Sequence, residues 1–499
     1  MRVSISTAVS VLAAVSTICS AGHAQSGETT RDETWVRAQA EARARIERRL
    51  RPQEARNVIL FVADGMSIPT ITAARIFDGQ QNGLGQDDVE HLLSFESFPD
   101  AALVRTYSTD AQVPDSANTA SAMVTGVKTR NGALSVRGDQ FLDVCDGSST
   151  PPATLVELAE DRGMATGIIS TARITHATPA ATYAHSSSRT WELDTVLPDE
   201  AVEAGCEDIA AQLLSFDHGD GLDVVLGGGR QAFLPEGGGG RRGDGRNLMQ
   251  EWADRGGATA TTAQEFRSLA AEDEAPVLGL FTGSHLAFEA DRVSEEEPSL
   301  AELTSFAVRR LENDEDGYVL LVEAGRVDHA HHATNAYRAF TDMQAFADAI
   351  AAAVELVDLD ETLILVTADH GHTMTISGYP ARGNPILGLV RSANMEERGG
   401  EPSLTFDATG RPYTTIGYAN GPNTRSEDDE ALTEEEVQDT SYRQEATVRR
   451  PAETHSGADV ALFANGPRSH YFTGSMEQNT IFHLITAALG WASDEGAQD

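Results

Sequence analysis

Lysine is nearly missing: Lys128 is the only one in 499 residues. Lys and Arg together number 37 against 77 Asp and Glu, a formal net charge of −40. A polyanion of that strength is repelled by a phosphate backbone, which excludes nucleic acid as a partner. The same imbalance suits solubility in salt, where dissolved ions screen the self-repulsion, so halotolerance is an expectation. Cysteine is scarce too, with Cys19, Cys145 and Cys206 alone. Past the N-terminus no stretch is long and apolar enough to span a bilayer. The polar ending WASDEGAQD offers no lipid-anchor tail.

What is present begins with a leader. Met1-Arg2 precedes an apolar and small-residue run to Cys19, and Gly22 and Ala24 occupy the −3 and −1 positions of a cut before Gln25. Residues 1–24 therefore read as a cleaved secretory signal, and a periplasmic or extracellular location follows. Ile18 argues against lipid attachment at Cys19. With Cys19 removed, an even pair of cysteines in an exported chain suggests one disulfide, two buried thiols being the alternative. Residues 30–52, with Trp35, Ile46 and Leu50 on a helical period, predict an amphipathic arm.

Beyond the arm, short β-branched runs recur: NVILFVADG (57–65), ATGIIST (165–171), LDVVLGG (222–228), YVLLVEAG (318–325), TLILVTADHG (362–371) and DVALFANG (459–466). Helical stretches such as 153–162, 201–214 and 336–357 separate them. The alternation predicts an α/β fold, a large, mostly parallel sheet with helices on both faces. A Gly-rich stretch, 236–247, reads as a surface loop. Residues 373–454 lack regular periodicity and carry the acidic run SEDDEALTEEE, and their length favours a small inserted subdomain over a loop.

Open α/β sheets bind ligands at the carboxyl ends of their strands. At those ends stand Asp64, Glu323 and the pair Asp369-His370, and His455 lies just before the last run. In RVDHAHHAT (326–334), Asp328 and His332 share one helical face at i, i+4, a carboxylate–imidazole pair suited to catalytic zinc. His329, His331 and His372 are further imidazoles nearby, and not all can be ligands. Asp115-Ser116 opens an Ala-rich helical stretch, where unpaired N–H groups favour an anionic oxygen or a phosphate. No G-x-S-x-G elbow surrounds Ser116, so an α/β-hydrolase triad is excluded and a metal becomes the candidate activator. His176 and Thr178 follow a predicted strand, and Arg189 is a candidate clamp for two phosphoryl oxygens.

Taken together, NVILFVADGMS, DSANTASAMVTGVKT, HATPAATYAHSSSR, DVVLGGGR, LLVEAGRVDHAHH, VTADHGH, GYANGP and ETHSGADVALFANGP resemble alkaline phosphatases, nearest the animal-type branch, from about residue 30 to 490. The resemblance implies two zinc ions and one magnesium. It places Asp328, His332 and His455 on the first zinc, and Asp369, His370 and Asp64 on the second. Asp64, Thr178 and Glu323 fall on magnesium, with His176 beside it. It makes Ser116 the nucleophile and Arg189 the phosphate clamp, held by Asp115, and implies a phosphoserine intermediate in phosphomonoester hydrolysis. A Cys145–Cys206 disulfide, a catalytic domain of 53–372 and 455–490, a crown-like interface at 373–454 and a homodimer embraced by the arm are implied as well. His176 and His329 stand where some bacterial members carry Asp and Lys, which bears on the third metal. Thr282 and Val293 fall where a peripheral calcium site of the animal enzymes has carboxylates, so that site is not expected. The alternatives are a phosphodiesterase or sulfatase of the same superfamily and a non-catalytic metal- or phosphate-binding relative. Ser116 lacks the C/S-x-P-x-R setting of sulfatases, and diesterases usually carry Thr at that position.

Overall fold

A computed structural model describes residues 33–85, 90–137, 150–393, 401–426 and 428–491. The leader and Cys145 lie outside the described residues. Within the expected arm, Glu33–Glu47 forms a helix as a unit of its own, and from Arg49 onward the chain is a second compact unit. Among the described residues no helix is long and apolar enough to cross a membrane.

The second unit is organised by ten strands. They are Asn57–Ala63 (β1), Asp100–Arg105 (β2), Ala165–Arg173 (β3), Val224–Gly228 (β4), Ala258–Ala260 (β5), Val277–Leu280 (β6), Tyr318–Ala324 (β7), Thr362–Thr367 (β8), Val460–Asn465 (β9) and Gly474–Glu477 (β10). Their order across the sheet is β10-β2-β9-β8-β1-β7-β3-β4-β6-β5. From β8 to β5 every neighbour is parallel. In β1, β7 and β8 every residue is buried, because helices cover both faces and no side chain has a wet side to choose. The predicted α/β class is therefore the observed one, with one change of direction: β9 runs antiparallel to both β8 and β2. An apolar run carries no signal of strand direction.

The helices follow their sequence cues closely. Ala336–Leu356 buries Ala339, Phe340, Met343, Phe346 and Ile350 on one stripe, and Asn335 caps it through Arg338 N at 2.9 Å. Phe346 meets Phe61 of β1 edge-on at a centroid separation of 6.0 Å. The stretch 201–214 departs from expectation by forming two short helices, Asp199–Glu203 and Ile209–Ser215. They are broken at Gly205, whose φ of +80° ends the first. Nor is the Gly-rich 236–247 stretch wholly superficial. Its Arg242 is buried, forked onto Asp208 at 2.9 and 2.9 Å and bonded to Asp244 at 2.6 Å.

Within 373–454 the chain builds a three-stranded sheet (Met374–Ile376, Ile416–Gly421, Ala446–Arg449), a two-stranded ladder and the helix Glu434–Val437. Leu389, Leu432 and Val437 form a small core of its own, while Met374, Ile416 and Tyr418 join the main core.

At the edge of the sheet opposite the carboxyl ends, Glu160 and Asp223 hold the start of β3. Thr166 donates its hydroxyl to Glu160 and its N–H to Asp223 at 2.8 Å. Burial pushes Glu160 up to about 9. An acid raised in the folded state binds protons that the unfolded chain has released. Its stabilising contribution is complete below the unfolded value, about 4.3, and is lost as pH rises toward 9. Melting temperatures measured from pH 5 to 9 should therefore fall less steeply for Glu160→Gln than for wild type; equal slopes would contradict this assignment.

Candidate metal centre and nucleophile

Register brings the chemistry to one edge. β8, β1, β7 and β3 are parallel neighbours, with Val62 opposite both Glu323 and Thr367, and Ser170 opposite Glu323. Chain segments leaving these strands at their carboxyl ends therefore converge, and they carry Asp64, Asp369-His370, His176 and Thr178. Asp64 is followed by Gly65 in the left-handed region at φ +78°, where an added Cβ would lie 2.5 Å from the His372 ring. That turn needs glycine for both reasons. Gly65 N and His370 N both donate to Asp369 Oδ1, at 3.0 and 2.8 Å, which fixes that carboxylate against the turn after Asp64.

Three groups of converging donors result, in each of which the candidate ligand atoms lie within 4.8 Å of one another. They are Asp328, His332, His372 and His455; Asp64, Asp328 and His370; and Asp64, His176 and Glu323. Asp64 and Asp328 are each shared by two groups. The helix Arg326–His332 does place Asp328 and His332 together, His332 Nε2 lying 3.3 Å from Asp328 Oδ1. His455 Nε2 lies 3.3 Å from the same oxygen and 3.1 Å from His332 Nε2. Both imidazoles are oriented from behind: His332 Nδ1 donates to the Glu453 carbonyl at 2.6 Å and His455 Nδ1 to the Pro114 carbonyl at 2.8 Å. Each Nε2 is left with a lone pair facing inward.

Ser116 is the first residue of the ten-residue helix Ser116–Thr125. Asp115 caps that helix, accepting from Asn118 N at 3.2 Å while its own N–H donates to Asn118 Oδ1 at 2.9 Å. Ser116 Oγ lies 3.3 Å from His370 Nε2. His370 is no triad base, because its Nδ1 is buried with no hydrogen-bond partner to orient it, and its Nε2 also faces Asp369 at 3.2 Å and Asp64 at 3.4 Å. Arg189 donates from Nη1 to Asp115 Oδ2 at 3.2 Å and from Nη2 to His176 Nε2 at 2.9 Å.

The electrostatics are those of a cation site. Both oxygens of Asp64 are buried without a hydrogen bond, as are one oxygen of Glu323, Thr178 Oγ1 and His176 Nδ1. An unsatisfied buried polar group costs about 1–3 kcal/mol, more when charged, so so many in one place call for a ligand. Burial, reinforced by Asp369, Asp328 and Glu323, holds Asp64 well above the usual carboxylate range. Burial likewise lifts Glu323 to about 7 and raises Asp369. Asp328 goes the other way: against burial, the imidazoles of His332, His372 and His455 hold it well below. Burial keeps His370 and His332 neutral, hence able to ligate. It lowers His176 as well, but there Nε2 already accepts from Arg189 and the ring proton stays on Nδ1, so His176 stands beside the group rather than offering it a lone pair. Mixed oxygen and imidazole donors of this kind suit zinc, and the oxygen-rich group around Glu323 and Thr178 suits magnesium.

His372 and His331 are candidate imidazoles in the sequence, but their partners, and the residues Glu453, Ser170 and His285, escape sequence reasoning. His372 sits between Asp328 Oδ1, at 2.7 Å from its Nε2, and the carboxylate of Glu453. Burial opposes its charge, yet the Glu453 charge and those two hydrogen bonds push it up to about 10. Ser170 donates to Glu323. His285 lies 4.2 Å from His329, the rings tilted by 58°, and 5.4 Å from His176, ring centre to ring centre. His331 is no donor to any of the groups, bonded as it is to Tyr418 at 2.8 Å and Thr70 at 3.1 Å. Glu453 stands two residues before His455, the one sequence signal that could have pointed to it.

The family model for alkaline phosphatase matches residues 55–491. Among characterised sequences, the tissue-nonspecific alkaline phosphatase isozyme of Gallus gallus is 39% identical over 92% of this chain and 90% of its own. An alkaline phosphatase of Gadus morhua is 38% identical over 88% and 92%. Among solved structures, the Thermus thermophilus alkaline phosphatase is 26% identical, with a TM-score of 0.63 over 89% of this chain and 93% of that one. The alkaline phosphatase of the Antarctic bacterium TAB5 is 23% identical, with a TM-score of 0.60 over 88% and 99%, a likeness of fold. A variant of the TAB5 enzyme was solved with Mg bound in its M3 site.

In metal-free protein Asp64→Asn, which mimics the protonated acid, should melt at or above the wild-type temperature. With zinc and magnesium added the order should reverse, since wild type gains about 4 kcal/mol at a metal concentration 1,000 times Kd. Calorimetry of both proteins in both states measures this. A variant already less stable without metal would show that Asp64 is not held for a cation.

Proposed function

The chain belongs to the alkaline phosphatase family, a phosphomonoester hydrolase with a divalent metal centre, and from that premise we propose that Ser116 is the nucleophile and becomes phosphorylated. The observation that carries this reading is the position of Ser116 Oγ. It stands at a helix N-terminus, 3.3 Å from His370 Nε2, a nitrogen that also lies 3.4 Å from Asp64, a buried carboxylate without a hydrogen bond.

In the proposed ligation, Asp328, His332 and His455 would hold one zinc and Asp64, Asp369 and His370 a second. Asp369 belongs to none of the three groups, where Asp328 accompanies Asp64 and His370, but its Oδ2 lies 3.2 Å from His370 Nε2. Asp64, Thr178 and Glu323 hold magnesium, with His176 alongside. When bound, the ions supply Lewis acidity to the phosphoryl oxygens and lower the pKa of the Ser116 hydroxyl and of water. Arg189, braced by Asp115, binds two phosphoryl oxygens and orients phosphorus toward Ser116. Ser116 Oγ forms a bond to phosphorus as the ester P–O bond breaks, and the alcohol leaves with a proton. Water then attacks the phosphoserine from the side the alcohol vacated, restoring Ser116 and releasing inorganic phosphate. The unpaired N–H groups at the start of the Ser116 helix stabilise negative charge in both steps. No catalytic triad is required.

The same proposal covers the parts of the chain around the catalytic domain of 53–372 and 455–490. Residues 1–24 direct export, Cys145 pairs with Cys206, and the acidic surface favours work in salt. The 373–454 segment, with its own core, is the interface of a homodimer that the N-terminal helix embraces.

With p-nitrophenyl phosphate, Ser116→Ala should lose at least about a thousandfold in turnover. Acid quenching should trap a phosphoserine in wild type alone, read by intact mass. Arg189→Ala should weaken kcat/KM by about 10- to 100-fold, the worth of a charged hydrogen-bond pair. Full activity in Ser116→Ala, or wild-type activity after chelation, would overturn the mechanism.

A further inference from the structure

Four residues converge on the first metal group, yet a catalytic zinc takes three protein ligands and keeps an open position. The resolution lies in Glu453, a carboxylate 2% exposed that belongs to none of the three groups. Its Oε2 accepts from His372 Nδ1. Its Oε1 accepts from Thr373 N at 2.7 Å and from Thr373 Oγ1 at 2.5 Å. Its backbone N–H donates to His332 O at 2.9 Å, and its carbonyl accepts from His332 Nδ1 at 2.6 Å.

One residue thereby touches two members of the group directly, His332 and His372, and a third, Asp328, through His372. His332 is turned by the Glu453 carbonyl. His372, with Glu453 behind it, presents Nε2 to Asp328 at 2.7 Å and so fixes the rotamer of that carboxylate. His455 is two residues along the chain, and its strand pairs antiparallel with Gly371–His372, His455 opposite His372. With both ring nitrogens engaged by carboxylates, His372 has no free donor atom to offer a metal. Asp328, His332 and His455 are left as the set of three. The two ends of the 373–454 segment also meet here, since Thr373 opens it and Glu453 all but closes it. Asn420 of that segment accepts from Thr454 N at 3.1 Å and donates to its hydroxyl at 2.9 Å.

We propose that Glu453 is a positioning residue for the first metal group, holding His372 out of the ligand set and aiming Asp328 and His332 at a single ion while keeping a coordination position open for substrate. This rests on the ligation proposed above and goes beyond it, since Glu453 touches neither ion nor substrate.

The test is metal retention, read without turnover. Zinc-loaded wild type, Glu453→Ala and Glu453→Gln are mixed with a chromogenic chelator and the release of each equivalent is timed. Loss of an outer partner of a metal ligand typically costs 10–100-fold in affinity. Glu453→Ala should accordingly release one zinc equivalent about 10- to 100-fold faster than wild type, with the other at its wild-type rate. Glu453→Gln keeps one acceptor oxygen but not two and should fall between. It also serves if the alanine variant does not fold. Wild-type release from both variants would overturn the inference, as would uniformly faster release of all equivalents, the mark of general loosening. Wild type that retains no zinc would instead overturn the ligation on which the inference stands.

Discussion

Four carboxylates, Asp64, Glu323, Asp328 and Asp369, are buried together at the carboxyl edge of the sheet, none more than 4% exposed. Two unit charges 4 Å apart interact by about 4 kcal/mol at an effective dielectric of 20. Such a cluster is tolerable only if protons or cations neutralise it. Burial favours the first route to the extent that it raises Asp64, Glu323 and Asp369 above the usual carboxylate range. Divalent ions take the second, and the neutral imidazoles of His332 and His370 are poised to complete the shell. The parallel centre of the sheet exists, in functional terms, to bring these groups to one place.

The wider charge distribution makes that centre decisive. The chain carries −40 overall, and its one lysine is engaged elsewhere, 2.8 Å from Glu477 and over the Tyr107 ring. A phosphomonoester dianion approaching such a protein finds attraction only where positive charge is concentrated. Arg189 supplies some of it, the helix N-terminus at Ser116 a little more, and bound divalent ions most. An acidic exterior and an anion-binding site are thus compatible because the site has its own local sign.

Much of this was legible in the sequence because strand ends write themselves as an apolar run closed by a polar residue. Asp64, Glu323 and Asp369-His370 were found that way, and Asp328 with His332 by helical spacing. What the sequence hid depends on long-range pairing. The reversed direction of β9 leaves no local trace, and the short strands β5 and β6 have little room for a pattern. Arg242 looked like part of a Gly-rich surface stretch until Asp208, far off in the chain, enclosed it. His372 could be recognised as a nearby imidazole, but not as one engaged at both nitrogens, since Glu453 lies 81 residues away. His285 follows β6 with no motif around it and enters the site only through tertiary packing.

The central claim is that hydrolysis proceeds in two displacements through Ser116, with the buried carboxylates holding the ions that permit both. The stereochemistry at phosphorus tests it most directly. A phosphomonoester made chiral with three oxygen isotopes is allowed to transfer its phosphoryl group to an acceptor alcohol, and the product configuration is determined. Two successive in-line attacks, the first by Ser116 and the second by the acceptor, give net retention. Net inversion would mean a single direct attack on the substrate and would contradict the account.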